Sequence, residues 1–178
     1  MKDTRKGFTL VELLAVIVIL AIIMIIAIPS VLGTMQTAQE KSFREYITNV
    51  YEKGEKQYLT LQTTNSLSTL STCDSSTITA TTGCKSGSYY VFNITTALGL
   101  SSTGDYKGYV AILPGTSSST SGTTDIYVYL YNGQYTTTNF VKVAGTSATR
   151  PDDVNLSTTG ASTDAVLSTI ISSTGLSL

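Results

Sequence analysis

The sequence predicts an α+β fold in which one long N-terminal helix packs on an antiparallel sheet of three or four strands. Three observations predict it. An uncharged apolar run lies near the N-terminus, a helical apolar period follows it, and four short β-branched or aromatic runs occupy the second half. With 178 residues, the chain has room for one modest domain and an extension.

The composition argues against several classes of function. The charges nearly balance, with 11 Lys+Arg against 12 Asp+Glu, so no basic footprint indicates a nucleic-acid partner. The chain has no histidine, which is the commonest general base and a leading metal ligand. Its two cysteines are too few for a zinc site without other ligands. We therefore expect no enzymatic activity, no cofactor and no metal site.

The apolar run from Leu13 to Ile28 contains no charged or polar side chain. Extended back to Phe8 it is interrupted only by Thr9 and Glu12, and it is long enough to cross a bilayer core of about 30 Å. Three basic residues precede it, namely Lys2, Arg5 and Lys6. The positive-inside tendency then places the N-terminus in the cytoplasm and the rest of the chain outside.

Two simpler interpretations account for the run less well. A secretory signal peptide would have a shorter apolar core and a small-residue cleavage site, and residues 27–30 match that site poorly. A plain signal anchor explains the length and orientation of the run but not Glu12.

Residues 5–12 read Arg-Lys-Gly-Phe-Thr-Leu-Val-Glu and lead directly into the apolar run. This segment resembles the class III leader of type IV pilins and of type II secretion pseudopilins. The resemblance implies a pilin fold. It also implies that a prepilin peptidase cleaves between Gly7 and Phe8 and N-methylates Phe8.

The resemblance also bears on two residues inside the apolar run. It makes Glu12 the fifth mature residue, where the family keeps a glutamate, and Pro29 a helix-perturbing proline of the kind that many pilins carry. Cleavage would create an amine on Phe8, and our hypothesis is that Glu12 pairs with the Phe8 amine of a neighbouring subunit during assembly. The alternative is that the Glu12 side chain snorkels to the membrane interface.

Beyond Pro29 the chain continues as a one-sided helix. Apolar residues recur at helical spacing at Phe43, Ile47, Val50, Tyr51, Tyr58 and Leu61. Three i,i+4 pairs of opposite charge occupy the other face, namely Glu40–Arg44, Lys41–Glu45 and Glu52–Lys56. Pro29 and Gly33 should weaken the helix locally. The sequence thus predicts one interrupted helix from about Phe8 to Leu61 that bends or melts between Ile28 and Met35 in a filament.

Cys73 and Cys84 lie in a segment rich in serine and threonine. Outside the cytoplasm a disulfide between them is the expected state, and two free thiols are the alternative.

Four runs after this segment have strand character, namely 89–94, 108–113, 125–131 and 138–143. The third run alternates, which places three tyrosines, Tyr127, Tyr129 and Tyr131, on one face. Cross-strand packing on a half-exposed face explains these tyrosines, and ligand stacking is the alternative. Asn132-Gly133 predicts a hairpin turn before the last run.

The C-terminal region holds two further features. A short helix is expected to begin near Thr163 or Asp164. Asp152 and Asp153 resemble half of a calcium site, but two adjacent carboxylates without a loop pattern are more often solvated.

These features divide the chain into a leader (1–7), a transmembrane and polymerisation helix (8–29), its amphipathic continuation (30–62) and an extracellular β-rich domain (63–178). The expected function is that of a type IV pilus subunit. Alternatives are a pseudopilin of a secretion or competence system and a minor or tip pilin acting in adhesion. The expected partners are copies of the chain in a helical filament, the prepilin peptidase, other assembly proteins and the cytoplasmic membrane. The precursor should sit in that membrane before it joins a pilus on the cell surface.

Overall fold

The computed structural model describes residues 8–73, 77, 80–100, 106–115, 124–137, 140–145 and 147–158. Several predictions lie outside these residues: the leader, the C-terminal helix near Thr163, and the first two residues of the fourth strand-like run. The described residues form two units, one through Glu40 and one from Lys41 onward.

The N-terminal helix is confirmed, and α1 spans Leu10–Thr63. Pro29 lies inside it, so the expected interruption is absent from the single chain. Proline removes one backbone donor, and long helical runs on both sides can tolerate that loss. Bending or melting of this region in a filament stays a prediction.

The second half of α1 buries one face, as its apolar spacing predicts. The buried residues are Phe43, Ile47, Val50, Gly54 and Tyr58. Gly54 allows a close approach to the sheet, because a Cβ added there would lie 2.7 Å from Cγ1 of Val110. Helix and sheet therefore pack against each other within the second unit.

In the described ranges, seven strands form one antiparallel sheet. They are β1 (Cys84–Ser86), β2 (Tyr89–Asn93), β3 (Lys107–Leu113), β4 (Asp125–Tyr131), β5 (Thr136–Thr137), β6 (Val141–Ala144) and β7 (Leu156–Ser157). Their order is β1-β2-β3-β4-β5-β7, and β6 also pairs with β4. Strands β2, β3, β4 and β6 correspond to the four runs read from the sequence. The short strands β1, β5 and β7 extend the sheet beyond the expected three or four.

The chain reverses after β4 at the predicted turn. Gly133 has a φ of +85°, and the side-chain oxygen of Asn132 accepts hydrogen bonds from the backbone N–H groups of Gln134 and Tyr135 at 3.1 and 2.7 Å. Strand β5 pairs with the end of β4 through Tyr131 and Thr136. Strand β6 pairs with the beginning of β4, where the register shifts between Ile126 and Tyr127.

Both faces of the sheet are covered. The larger core lies between the sheet and α1 and includes Ile126, Val128 and Leu130 of β4. A smaller cluster on the reverse face contains Cys84, Val91, Tyr109, Ala111 and Tyr129. Because Tyr129 is only 4% exposed, the tyrosine face of β4 is more buried than its alternation predicts.

Candidate assembly site

The first half of α1 exposes its apolar side chains. Every large apolar residue from Phe8 to Met35 has at least half of its surface exposed, and Ile17 in the middle of the run is 53% exposed. Among the described residues one helix, α1, has the length and the apolar composition needed to cross a membrane. Such a surface is unfavourable in water and needs lipid or other protein around it.

Thr9 and Glu12 form a reciprocal cap at the start of α1. Both the backbone N–H and the hydroxyl of Thr9 donate to Oε2 of Glu12, at 2.9 and 2.8 Å. The backbone N–H of Glu12 approaches the Thr9 hydroxyl oxygen at 3.3 Å. This arrangement is the capping box, in which an N-cap Thr and a Glu three residues later satisfy donors of the first turn.

The capping box gives Glu12 a role inside its own subunit that the sequence interpretation missed. The Thr-x-x-Glu pattern immediately before the apolar run was the signal that could have revealed it. Only Oε2 is engaged, so Oε1 of Glu12 has no hydrogen-bond partner among the described residues. The carboxylate can therefore hold its own helix start and still accept one further donor.

The other residues expected in assembly lie along the same helix. Phe8, directly before the cap, is 85% exposed, and Gly7 is outside the described residues. Pro29 lies 17 residues beyond Glu12, about 25 Å along the axis, so the structure does not bring them together. Phe8 and Glu12 thus both lie at the start of α1, and Pro29 lies apart from them.

Cys73 and Cys84 are joined by a disulfide with a Cα–Cα distance of 5.0 Å. Backbone hydrogen bonds fasten the same segment to β1, because the N–H of Cys73 donates to the carbonyl of Lys85, whose own N–H donates to the carbonyl of Ser71. Cys84 is fully buried in the reverse-face cluster. The disulfide thus belongs to the packing of the sheet's reverse face.

Two of the β4 tyrosines, Tyr127 and Tyr129, pack against other aromatic side chains. The Tyr127 ring meets Tyr89 edge-on at 6.0 Å between centroids, and the Tyr129 ring lies 5.9 Å from Phe140. This arrangement supports cross-strand packing over an open ligand-stacking row.

Asp152 and Asp153 lie beside a cationic side chain. Nη1 of Arg44 is within hydrogen-bond distance of the carbonyl oxygens of Pro151, Asp152 and Val154, at 3.1, 2.6 and 2.7 Å. Both aspartates are exposed, and among the described residues no three metal-ligating side chains lie together. In this segment three backbone carbonyl oxygens accept hydrogen bonds from a cationic group, the guanidinium of Arg44.

Comparison with known proteins gives one result that bears on the site. Residues 2–28 match the family described as the prokaryotic N-terminal methylation motif. No curated protein and no solved structure shows significant similarity to this chain. The matched segment contains leader residues 2–7, Phe8, Thr9, Glu12 and the whole apolar run, so the class III prepilin leader read from the sequence is confirmed. The match covers this N-terminal segment alone, and it supports a precursor of the type IV pilin or pseudopilin kind.

Proposed function

We propose that this chain is the precursor of a type IV pilus subunit, a structural protein that polymerises through the first half of α1. The observation that carries the proposal is the unburied apolar helix that directly follows a methylation-motif leader. A bilayer covers this surface in the precursor, and neighbouring copies of the same helix cover it in the filament.

Processing by prepilin peptidase comes first in this proposal. The enzyme cleaves between Gly7 and Phe8 on the cytoplasmic side and methylates the new amine of Phe8. Mass spectrometry of the mature N-terminus tests this step, and the expected product begins with N-methyl-Phe8. A mature chain that begins at Met1, or after residue 30, would contradict the proposal.

Glu12 provides the contact that guides assembly. A carboxylate within a membrane helix costs about 2.5–3.5 kcal/mol at the bilayer centre and less near the interface. The capping bonds from Thr9 offset part of this cost, and Oε1 remains available for the Phe8 amine of a neighbouring subunit. Glu12 and Phe8 are four residues apart, so this contact sets an axial offset between adjacent subunits.

Filament assembly of Glu12→Ala and Glu12→Asp tests the contact. The alanine variant should be processed and inserted but should form few filaments, whereas aspartate, which keeps the charge, should assemble partially. Normal piliation by Glu12→Ala would rule out the contact, and the alternative that Glu12 only snorkels would then stand.

The abundance of the chain distinguishes a pilus subunit from a pseudopilin or a tip subunit. A major pilin should dominate the protein of filaments sheared from the cell surface. A tip subunit or a pseudopilin should be a trace component of that material, and such a result would move the chain out of the proposed role.

A further inference from the structure

Four charged residues form a row on the second half of α1. They are Lys41, Glu45, Glu52 and Lys56, called the charge row below, and all four are exposed. At 3.6 residues per turn their side chains fall within about 60° around the helix axis. The buried face of α1, centred on Val50 and Gly54, lies on the opposite side. The row therefore points away from the sheet, which covers the buried face of this segment.

The charges in the row do not pair with one another or with any other residue that the structure describes. The i,i+4 spacing predicts ion pairs between Lys41 and Glu45 and between Glu52 and Lys56, but neither pair forms in the described part of the chain. Exposed pairs of this kind gain about 0–1 kcal/mol in water, so their failure to close is unsurprising. As far as the described residues go, the four charges are available to another molecule.

The order of charge signs along the row restricts which partner, and which alignment of that partner, can match it. Read from the N-terminal end the signs are plus, minus, minus, plus. If two parallel copies lay in register, each charge would face the identical charge on the other copy. An offset of seven residues would oppose Glu45 to Glu52, and one of fifteen would oppose Lys41 to Lys56.

Parallel copies offset by four residues, about 6 Å along the axis, have complementary rows. Glu45 of one copy then faces Lys41 of the other. At the same offset Lys56 of the first copy faces Glu52 of the second. An offset of eleven residues also matches opposite signs, by pairing Lys41 with Glu52 and Glu45 with Lys56.

We infer that the charge row is an interaction surface for a second copy of this chain, used in parallel orientation at the four-residue offset. The inference rests on the proposed function, in which Glu12 of one subunit meets Phe8 of the next at the same offset and in the same direction. The row lies on the same helix as the proposed polymerisation segment. The charge row places opposite charges together at only a few registers between copies, whereas apolar contacts alone allow two helices to slide along each other.

Mixing two charge-reversed subunits tests the inference. Lys41→Glu places two negative charges at the first half of the row, and Glu45→Lys places two positive charges there. Each variant alone opposes like charges between copies, and we expect its filament yield to fall about fivefold. Co-expression of both full-length variants should restore the yield, because opposite charges then face each other between copies.

This mixture separates contacts between chains from pairing within one chain. Pairing inside a chain cannot be restored by a second chain, so a mixed yield equal to that of the single variants would overturn the inference. Restoration of Lys41→Glu by Glu52→Lys, rather than by Glu45→Lys, would also overturn it in favour of the eleven-residue offset. Lys53→Glu is the matched control, since Lys53 is exposed on the same helix about 90° from the centre of the row and should assemble normally.

The same cultures separate failure of this inference from failure of the proposed function. Wild-type filaments whose subunits begin with N-methyl-Phe8 establish the proposed function independently of the charge row. If these filaments form and the charge-reversed variants assemble like wild type, the inference alone is wrong. If wild-type cells produce no methylated Phe8, the proposed function itself fails.

Discussion

The two halves of α1 differ in where their partners lie. In the first half the apolar side chains surround the helix, and Ile17 is 53% exposed. In the second half one face is apolar, and Ile47 on that face is fully buried. Both residues are isoleucines in the same continuous helix, so helix formation by itself does not determine burial.

This difference indicates what stabilises each half. The second half is held by the sheet and belongs to the core of the folded unit. The first half has no core of its own among the described residues, none of which covers its apolar surface, and lipid or other chains would bury that surface. A substitution should therefore change folding stability in one half and association in the other.

The largest effect should come from truncating matched isoleucines. Ile47→Ala removes buried methyl groups and leaves a cavity, so it should lower the free energy of unfolding by about 2–5 kcal/mol. Ile17→Ala should change it by less than about 0.5 kcal/mol. Denaturant unfolding of the full-length chain in detergent, followed by the near-UV signal of its tyrosines, measures both. Equal losses from the two substitutions would contradict the comparison.

A smaller loss should follow removal of the Arg44 guanidinium. Nη1 of Arg44 binds carbonyls of Pro151, Asp152 and Val154, so Arg44→Met should lower the free energy of unfolding by about 1.5–3 kcal/mol. The same unfolding experiment measures it, and Arg44→Lys should restore part of the loss because one cationic donor remains.

Arg150→Met is the control for this substitution. Its contact with Asp153 is an exposed pair at 4.0 Å, and such pairs contribute about 0–1 kcal/mol. If Arg44→Met cost no more than Arg150→Met, the carbonyl contacts of Arg44 would not stabilise the second unit.

Two glycines should respond in opposite directions to the same substitution. Gly54 lies against Val110, so overpacking in Gly54→Ala should lower the free energy of unfolding by about 1–3 kcal/mol. The better helix propensity of alanine should offset about 1 kcal/mol of this loss. Gly33 has no atom within 4 Å of an added Cβ, so Gly33→Ala should only gain helix propensity. Unfolding measurements should show a loss for Gly54→Ala, and circular dichroism should show more helix for Gly33→Ala. A gain in stability for Gly54→Ala would mean that the sheet shifts to accommodate the added methyl group.

Much of this architecture could be predicted because its signals are local. The apolar run, the stripe from Phe43 to Tyr58 and the Asn132-Gly133 turn each depend on spacing within a short window. Strands β5 and β7 have two residues each and carry no readable period. They exist because their neighbours in the sheet supply hydrogen bonds, which a local pattern does not show.

The remaining features depend on contacts between distant parts of the chain. Arg44 meets carbonyls more than a hundred residues away, and nothing in its local sequence indicates them. The reverse face of the sheet is covered partly by the segment that contains Cys73, whose serine and threonine composition predicts only a loop. In the candidate site, by contrast, Phe8 and Glu12 could be read from the motif because the site lies within five residues of sequence.

The smallest effect should come from the cap of the first half. Thr9→Val removes the hydroxyl that donates to Glu12 and accepts from its backbone N–H, at a cost of about 1 kcal/mol. Because this half has no core to lose, the cost should appear as faster hydrogen exchange of the amides from Leu10 to Leu13, with global unfolding unchanged. Thr9→Ser keeps the hydroxyl and should exchange like wild type, and equally fast exchange in both variants would show that the hydroxyl does not hold the first turn. A global loss of stability in Thr9→Val would contradict this prediction.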